Sequence, residues 1–198
     1  MDPWFYKFAR PIVTVFMKIV YRPKIVNKEN IPKKGKLVLA GTHTNFFDCL
    51  LLISSTKRCI HFLATDSLMK GKKKILFKNM GIIPVNRAIK DKEALSTAME
   101  YLNNDKLIGI FPEGTINRTD DIIMPFKIGA VKMASDTNSL VTPFAIVGGY
   151  KPFKKGLTIV FGEPYKIEKC DDLTEENEKL MKKVIELIKM GENYGKNK

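Results

Sequence analysis

Leu37-Val38-Leu39-Ala40-Gly41-Thr42-His43-Thr44-Asn45-Phe46-Phe47-Asp48-Cys49-Leu50-Leu51-Leu52-Ile53-Ser54-Ser55 reads as a short apolar strand, a polar turn and a helix. The same alternation continues outward from it. His61–Ala64, Ile82–Val85, Leu107–Phe111, Pro143–Val147 and Leu157–Phe161 are apolar runs of strand length. Between and after them, helical spacing is expected over 67–80, 92–103, 127–136 and 173–190. Strands interleaved with helices predict an α/β domain with a mixed central sheet and flanking helices. No internal repeat, linker or second domain interrupts the 198 residues. The expected organisation is an N-terminal amphipathic segment over 1–30, a catalytic domain over 31–190 and a disordered tail over 191–198.

Apolar residues make up 44% of the chain and charged residues 28%, a globular composition. Cys49, Cys59 and Cys170 form no Cys-x-x-Cys pair, and only His43 and His61 could add to a metal set. Neither a disulfide framework nor a metal site is expected. The net charge of +13 is unevenly placed. Residues 1–36 and 66–90 carry +7 and +6 of it, which points to a polyanionic surface. A nucleic-acid role is disfavoured, because no Walker loop or RNA-binding glycine motif is present and no aromatic residues interleave with the second basic run.

The first basic stretch also has a pattern. Asp2 and Pro3 read as a helix start. On a wheel of about 100° per residue, Lys7, Arg10, Thr14, Lys18 and Arg22 share one arc. Phe5, Phe8, Ile12, Val15, Phe16, Ile19 and Val20 lie opposite, with Trp4 at their edge. A basic face backed by an aromatic one suits a helix lying in a membrane interface. Pro11 is expected to kink or split this helix. Charges interrupt any apolar run long enough to span a bilayer.

Four local patterns bear on chemistry. His43-x4-Asp48 places an imidazole on a turn and a carboxylate in the next helix's first turn. A carboxylate can fix the imidazole tautomer and support the imidazolium, which makes a general base. Gly81-Ile82-Ile83-Pro84-Val85-Asn86-Arg87 delivers an arginine at a strand end, where its planar fork suits phosphate. Phe111-Pro112-Glu113-Gly114-Thr115 ends a strand in a turn whose glycine permits close approach of a ligand. Glu113 could accept hydrogen bonds from substrate hydroxyls and Thr115 could donate to phosphate. Further on, Lys127 opens a helix and suits an anion. Val141-Thr142-Pro143 introduces another strand. Each pattern alone is ordinary strand-end structure. Cys49 begins an apolar helical run and His61 lies within a strand, so both read as structural.

In this order and spacing, over roughly residues 35–150, the patterns resemble the four blocks of the 1-acyl-sn-glycerol-3-phosphate acyltransferase family. The resemblance implies acyl transfer from a thioester to the sn-2 hydroxyl of lysophosphatidic acid, forming phosphatidic acid. His43 and Asp48 would be the catalytic pair. Arg87, with Lys127 or Arg118, would hold the acceptor phosphate, and Glu113, Gly114 and Thr115 would position the acceptor. Two departures stand out. Ile116 occupies the place of the usual arginine after Glu-Gly-Thr, with Arg118 two residues on. Thr65 stands where a lysine is common before the second block, and Lys70 and Lys72–Lys74 are nearby cations. No cofactor is implied; an acyl-carrier-protein or CoA thioester would be the co-substrate. The implied location is the cytoplasmic face of the cell membrane, peripheral or monotopic, against an anionic leaflet. Glycerol 3-phosphate or another lysolipid is the alternative acceptor, and a catalytically silent membrane scaffold of the same fold is the non-enzymatic one.

Overall fold

The structure, a computed structural model, describes residues 3–65, 79–86 and 91–196. The expected basic helix over 67–80 falls almost wholly outside them, as do Arg87, Lys70 and Lys72–Lys74.

Eight strands form one sheet: β1 (Lys24–Val26), β2 (Leu37–Gly41), β3 (Ile60–Thr65), β4 (Ile83–Val85), β5 (Leu107–Ile110), β6 (Leu140–Val147), β7 (Thr158–Phe161) and β8 (Tyr165–Lys166). Their order is β1-β7-β6-β2-β5-β3-β4, with β8 beside β6. β6 runs antiparallel to β7 and β8; the other pairs are parallel, so the sheet is mixed as expected. The helices are α1 (Trp4–Phe16), α2 (Asp48–Ser55), α3 (Lys92–Asn103), α4 (Gly129–Thr137) and α5 (Thr174–Lys196).

β2 lies in the interior of the sheet, between β5 and β6. Its side chains alternate between two cores. Val38 and Ala40 pack with residues of α3, α4 and α5, while Leu37 and Leu39 pack with residues of α1 and α2. Both faces are covered, which is why Leu37–Ala40 reads as a continuous apolar run. At Gly41 the backbone of β6 comes so close that a Cβ would overlap the carbonyl of Phe144. Pro143 is tolerated inside β6 because it falls between the stretch paired with β8 and the stretch paired with β7.

At the amino-terminal ends of the parallel strands, Arg58 joins three segments. Its guanidinium donates to the carbonyls of Pro32 at 2.9 Å, Gly35 at 2.5 Å and Asp105 at 3.2 Å.

Three expectations change. The α-helix runs through Pro11 undivided, and the departure from α-helical bonding comes later, in a π-turn over Met17–Tyr21. The described part of the N-terminal segment, residues 3–30, packs into the rest of the domain: β1 pairs with β7 and α1 packs on α2. The tail expected to be disordered from 191 continues α5 to Lys196. Gly191 lets the helix lie against Val147 and Val160, and Lys24 sits 4.4 Å over the Tyr194 ring.

α1 and the π-turn after it together have two apolar faces. Tyr6, Met17 and Tyr21 are buried, and Arg10 lies on the same side with Nε donating to the Thr56 carbonyl at 2.7 Å. Arg10 therefore faces the protein. Trp4, Phe8, Ile12, Val15 and Ile19 form the opposite stripe and are each more than half exposed. Among the described residues no helix is long and apolar enough to cross a membrane.

Candidate active site

The parallel pairing of β2 with β5 sets Ala40 beside Ile110, so the turns that follow both strands emerge together at the carboxyl edge of the sheet. Crevices at that edge are where open α/β sheets bind ligands. His43 lies in the first turn and Glu113 in the second.

Asp48 is fully buried in the first turn of α2. Its Oδ2 stands 3.0 Å from His43 Nδ1 and accepts the backbone N–H groups of Thr44 at 2.6 Å and Asn45 at 2.8 Å. Its Oδ1 accepts the Tyr150 hydroxyl at 2.6 Å and, more weakly, the Thr44 hydroxyl at 3.3 Å. With the carboxylate as acceptor, the His43 proton resides on Nδ1 and Nε2 presents its lone pair. The imidazole stacks on Phe111, centroids 4.1 Å apart and planes 15° from parallel, so one face of the ring is covered.

Glu113 is also buried, and both its oxygens bind main chain. Oε1 accepts the His43 N–H at 2.7 Å and Oε2 the Met124 N–H at 2.9 Å. The Asn117 N–H in turn donates to the His43 carbonyl at 2.8 Å. The sequence suggests that Glu113 meets substrate hydroxyls; the structure instead places it beneath the turns as the clamp that joins them.

Gly114 has φ +77°, and a Cβ there would come within 2.8 Å of Lys127 Nζ, so the lysine lies over the glycine. Thr115, Arg118 and Lys127 line this edge, and all three are exposed. Among the described residues no carboxylate pairs with Lys127 or Arg118. These cations stand at the edge where His43 opens, while β4 delivers the chain toward Arg87, which lies outside the described residues.

Cys49 is next to the pair in sequence. Burial, and then the Asp48 carboxylate, push its thiol up to about 12, so it presents no thiolate near neutral pH. His61 is buried with its ring stacked on Tyr101 at 4.3 Å and Nδ1 2.9 Å from the Gly81 carbonyl, a place in the core. Tyr150 carries no signal in the sequence, since nothing local ties it to a residue 102 positions earlier.

A carboxylate-held histidine at the carboxyl edge of an α/β sheet, with exposed cations in the adjoining turns, is chemically suited to take a proton from a bound nucleophile. The chain belongs to the Acyltransferase family, which it matches over residues 22–147, and it is an enzyme of that class. It is 32% identical over 165 residues to the 1-acyl-sn-glycerol-3-phosphate acyltransferase of Bacillus subtilis, covering 80% of this chain and 81% of that one. It is 34% identical over 140 residues to the protein of the same description from Borreliella burgdorferi, covering 67% and 54%. The crystal structure of the 1-acyl-sn-glycerophosphate (LPA) acyltransferase PlsC from Thermotoga maritima has the same fold. Its TM-score is 0.75 at 22% identity, over 98% of this chain and 82% of that one.

Proposed function

We propose that this enzyme transfers a fatty acyl group from a thioester to the sn-2 hydroxyl of 1-acyl-sn-glycerol 3-phosphate, forming phosphatidic acid for phospholipid biosynthesis. The observation that carries the mechanism is the 3.0 Å contact between Asp48 Oδ2 and His43 Nδ1. An alcohol attacks poorly until its proton is removed. His43 Nε2 takes that proton as the oxygen attacks the thioester carbonyl, and Asp48 supports the imidazolium so formed. The carbon–sulfur bond then breaks and the imidazolium returns its proton to the departing thiolate.

Lys127, over Gly114, with Arg118 and Arg87, holds the acceptor phosphate. Thr115, exposed beside them, donates to it. The donor is an acyl-carrier-protein or CoA thioester; both carry phosphate and suit a basic surface. The outward stripe of α1, flanked by exposed Lys7, Lys18 and Arg22, lies in an anionic membrane on its cytoplasmic face.

The test is acyl transfer to lysophosphatidic acid in mixed micelles, with both thioesters in parallel and His43→Ala as control. Phosphatidic acid from the wild type alone supports reaction and base together, and the preferred thioester identifies the donor. Turnover retained by His43→Ala overturns the base. Product only with glycerol 3-phosphate or a different lysolipid moves the acceptor to the alternative.

A further inference from the structure

Tyr150 follows β6 and reaches back across the carboxyl edge to the catalytic carboxylate. Asp48 uses its two oxygens differently. Oδ2 carries the histidine and two backbone amides, while the Tyr150 hydroxyl, at 2.6 Å, is the shorter of two donors to Oδ1. A carboxylate held at one oxygen can still swing about its Cβ–Cγ bond; fixing the second oxygen fixes its plane.

The phenol is itself held. Its ring meets Tyr21 edge-on at 5.4 Å and Phe47 at 6.0 Å, and those two rings are 5.6 Å apart. Tyr21 is buried and closes the π-turn that ends the N-terminal helical segment. Phe47 belongs to the turn between His43 and α2. The three rings thus join the N-terminal segment, the catalytic turn and the loop after β6 at one point.

We propose that Tyr150 is a positioning residue for this reaction: by taking Asp48 Oδ1 it aims Oδ2 at His43 Nδ1, and through Tyr21 it ties that aim to the N-terminal segment. The proposal rests on the reading of His43 and Asp48 as the base. The titratable groups that face Tyr150 are Asp48 and Cys49 on α2 and Tyr21 in the π-turn, and His43 is reached through Asp48. Burial, then the Asp48 charge and hydrogen bond, push the phenol far above its ordinary value, so it remains a donor throughout the working range.

The test compares full-length wild type, Tyr150→Phe and His43→Ala in acyl transfer to lysophosphatidic acid, measured as a function of pH. Phenylalanine keeps the ring and its packing, and a thermal melt on the same proteins reports whether the fold is kept. Without the phenol, the carboxylate's charge is shared with one donor fewer and bears more fully on the imidazolium. The acid limb of kcat/KM moves to higher pH. With the carboxylate plane released, kcat falls by about ten-fold while both KM values stay within about two-fold. The His43 Nδ1–H resonance, followed by NMR in the same pair, moves with the lost bond and reads positioning without turnover. An unmoved acid limb and resonance, whatever happens to the melt, would mean that Tyr150 only packs, and the proposal falls. A change confined to KM overturns it too, by making Tyr150 a substrate contact. Full turnover by His43→Ala removes the base reading itself, an outcome distinct from either.

Discussion

Glu113 Oε1 accepts the main-chain N–H of His43 at 2.7 Å, so the base is anchored by its backbone as well as by the carboxylate at its ring. The two turns at the carboxyl edge are joined by this one buried side chain. Glu113→Gln replaces one acceptor oxygen with an amide that faces an N–H donor. The loss of a charge-assisted bond, about 1.5–3 kcal/mol, is expected to lower the melting temperature by several degrees. It should also reduce kcat at unchanged acceptor KM. Kinetics and a melt on one preparation check both, and a rise in acceptor KM alone would return Glu113 to the substrate.

The cations behave differently. Lys127 lies over Gly114 without a carboxylate partner among the described residues, so removing its charge costs the fold little. Lys127→Ala and Arg87→Ala are each expected to raise the acceptor KM about ten-fold or more and to leave the donor KM nearly unchanged. Equal effects on the two substrates would argue against phosphate binding.

Membrane contact is best tested by point changes on the outer stripe of α1. Deleting 1–21 would also remove buried Tyr6, Met17 and Tyr21, each worth several kcal/mol to the core. Phe8→Asp with Ile12→Asp changes only exposed positions. It is expected to weaken sedimentation with anionic liposomes strongly while the melting temperature holds. Trp4, the single tryptophan, reports the same event by a blue shift of its fluorescence on lipid addition. Liposome binding that ignores the double substitution would remove the stripe from the contact.

The three thiols divide by environment. Cys59 is buried, and Cys49 is raised to about 12. Cys170 is exposed, although residual desolvation and then Glu176, Asp172 and their acidic neighbours raise it as well. A raised thiol pKa means less thiolate at a given pH. Iodoacetamide at mildly alkaline pH should therefore label the native protein at Cys170, more slowly than free cysteine and faster as pH rises. Mass spectrometry is expected to find one adduct in the native chain and three in denaturant, with activity kept. Rapid labelling of Cys49 with loss of turnover would reopen a covalent route.

Much of this arrangement is legible in the sequence because it is local. His43 and Asp48 sit on one strand–turn–helix, and β2 declares itself by an apolar run that only a doubly covered strand needs. The use of Glu113 is not legible: its partners are the N–H groups of His43 and Met124, and only the β2–β5 pairing brings the first of these near. Tyr150 is hidden for the same reason. Gly191 misleads in the opposite direction, since a glycine near a helix end normally marks a stop. Here its missing side chain admits Val147 and Val160 and the helix carries on. β1 and β8, with three and two residues, are too short to show a period.

The Arg58 knot at the opposite edge bears on how such a scaffold can diversify. The segments entering β2, β3 and β5 are stitched together by one guanidinium, away from His43, Glu113 and Lys127. A chain that secures its frame at one edge is free to remodel the other. Exchange of the loops after β2, β5 and β6 that keeps His43, Asp48, Glu113 and Tyr150 should therefore retune selectivity in a chimera that inherits the untouched seam.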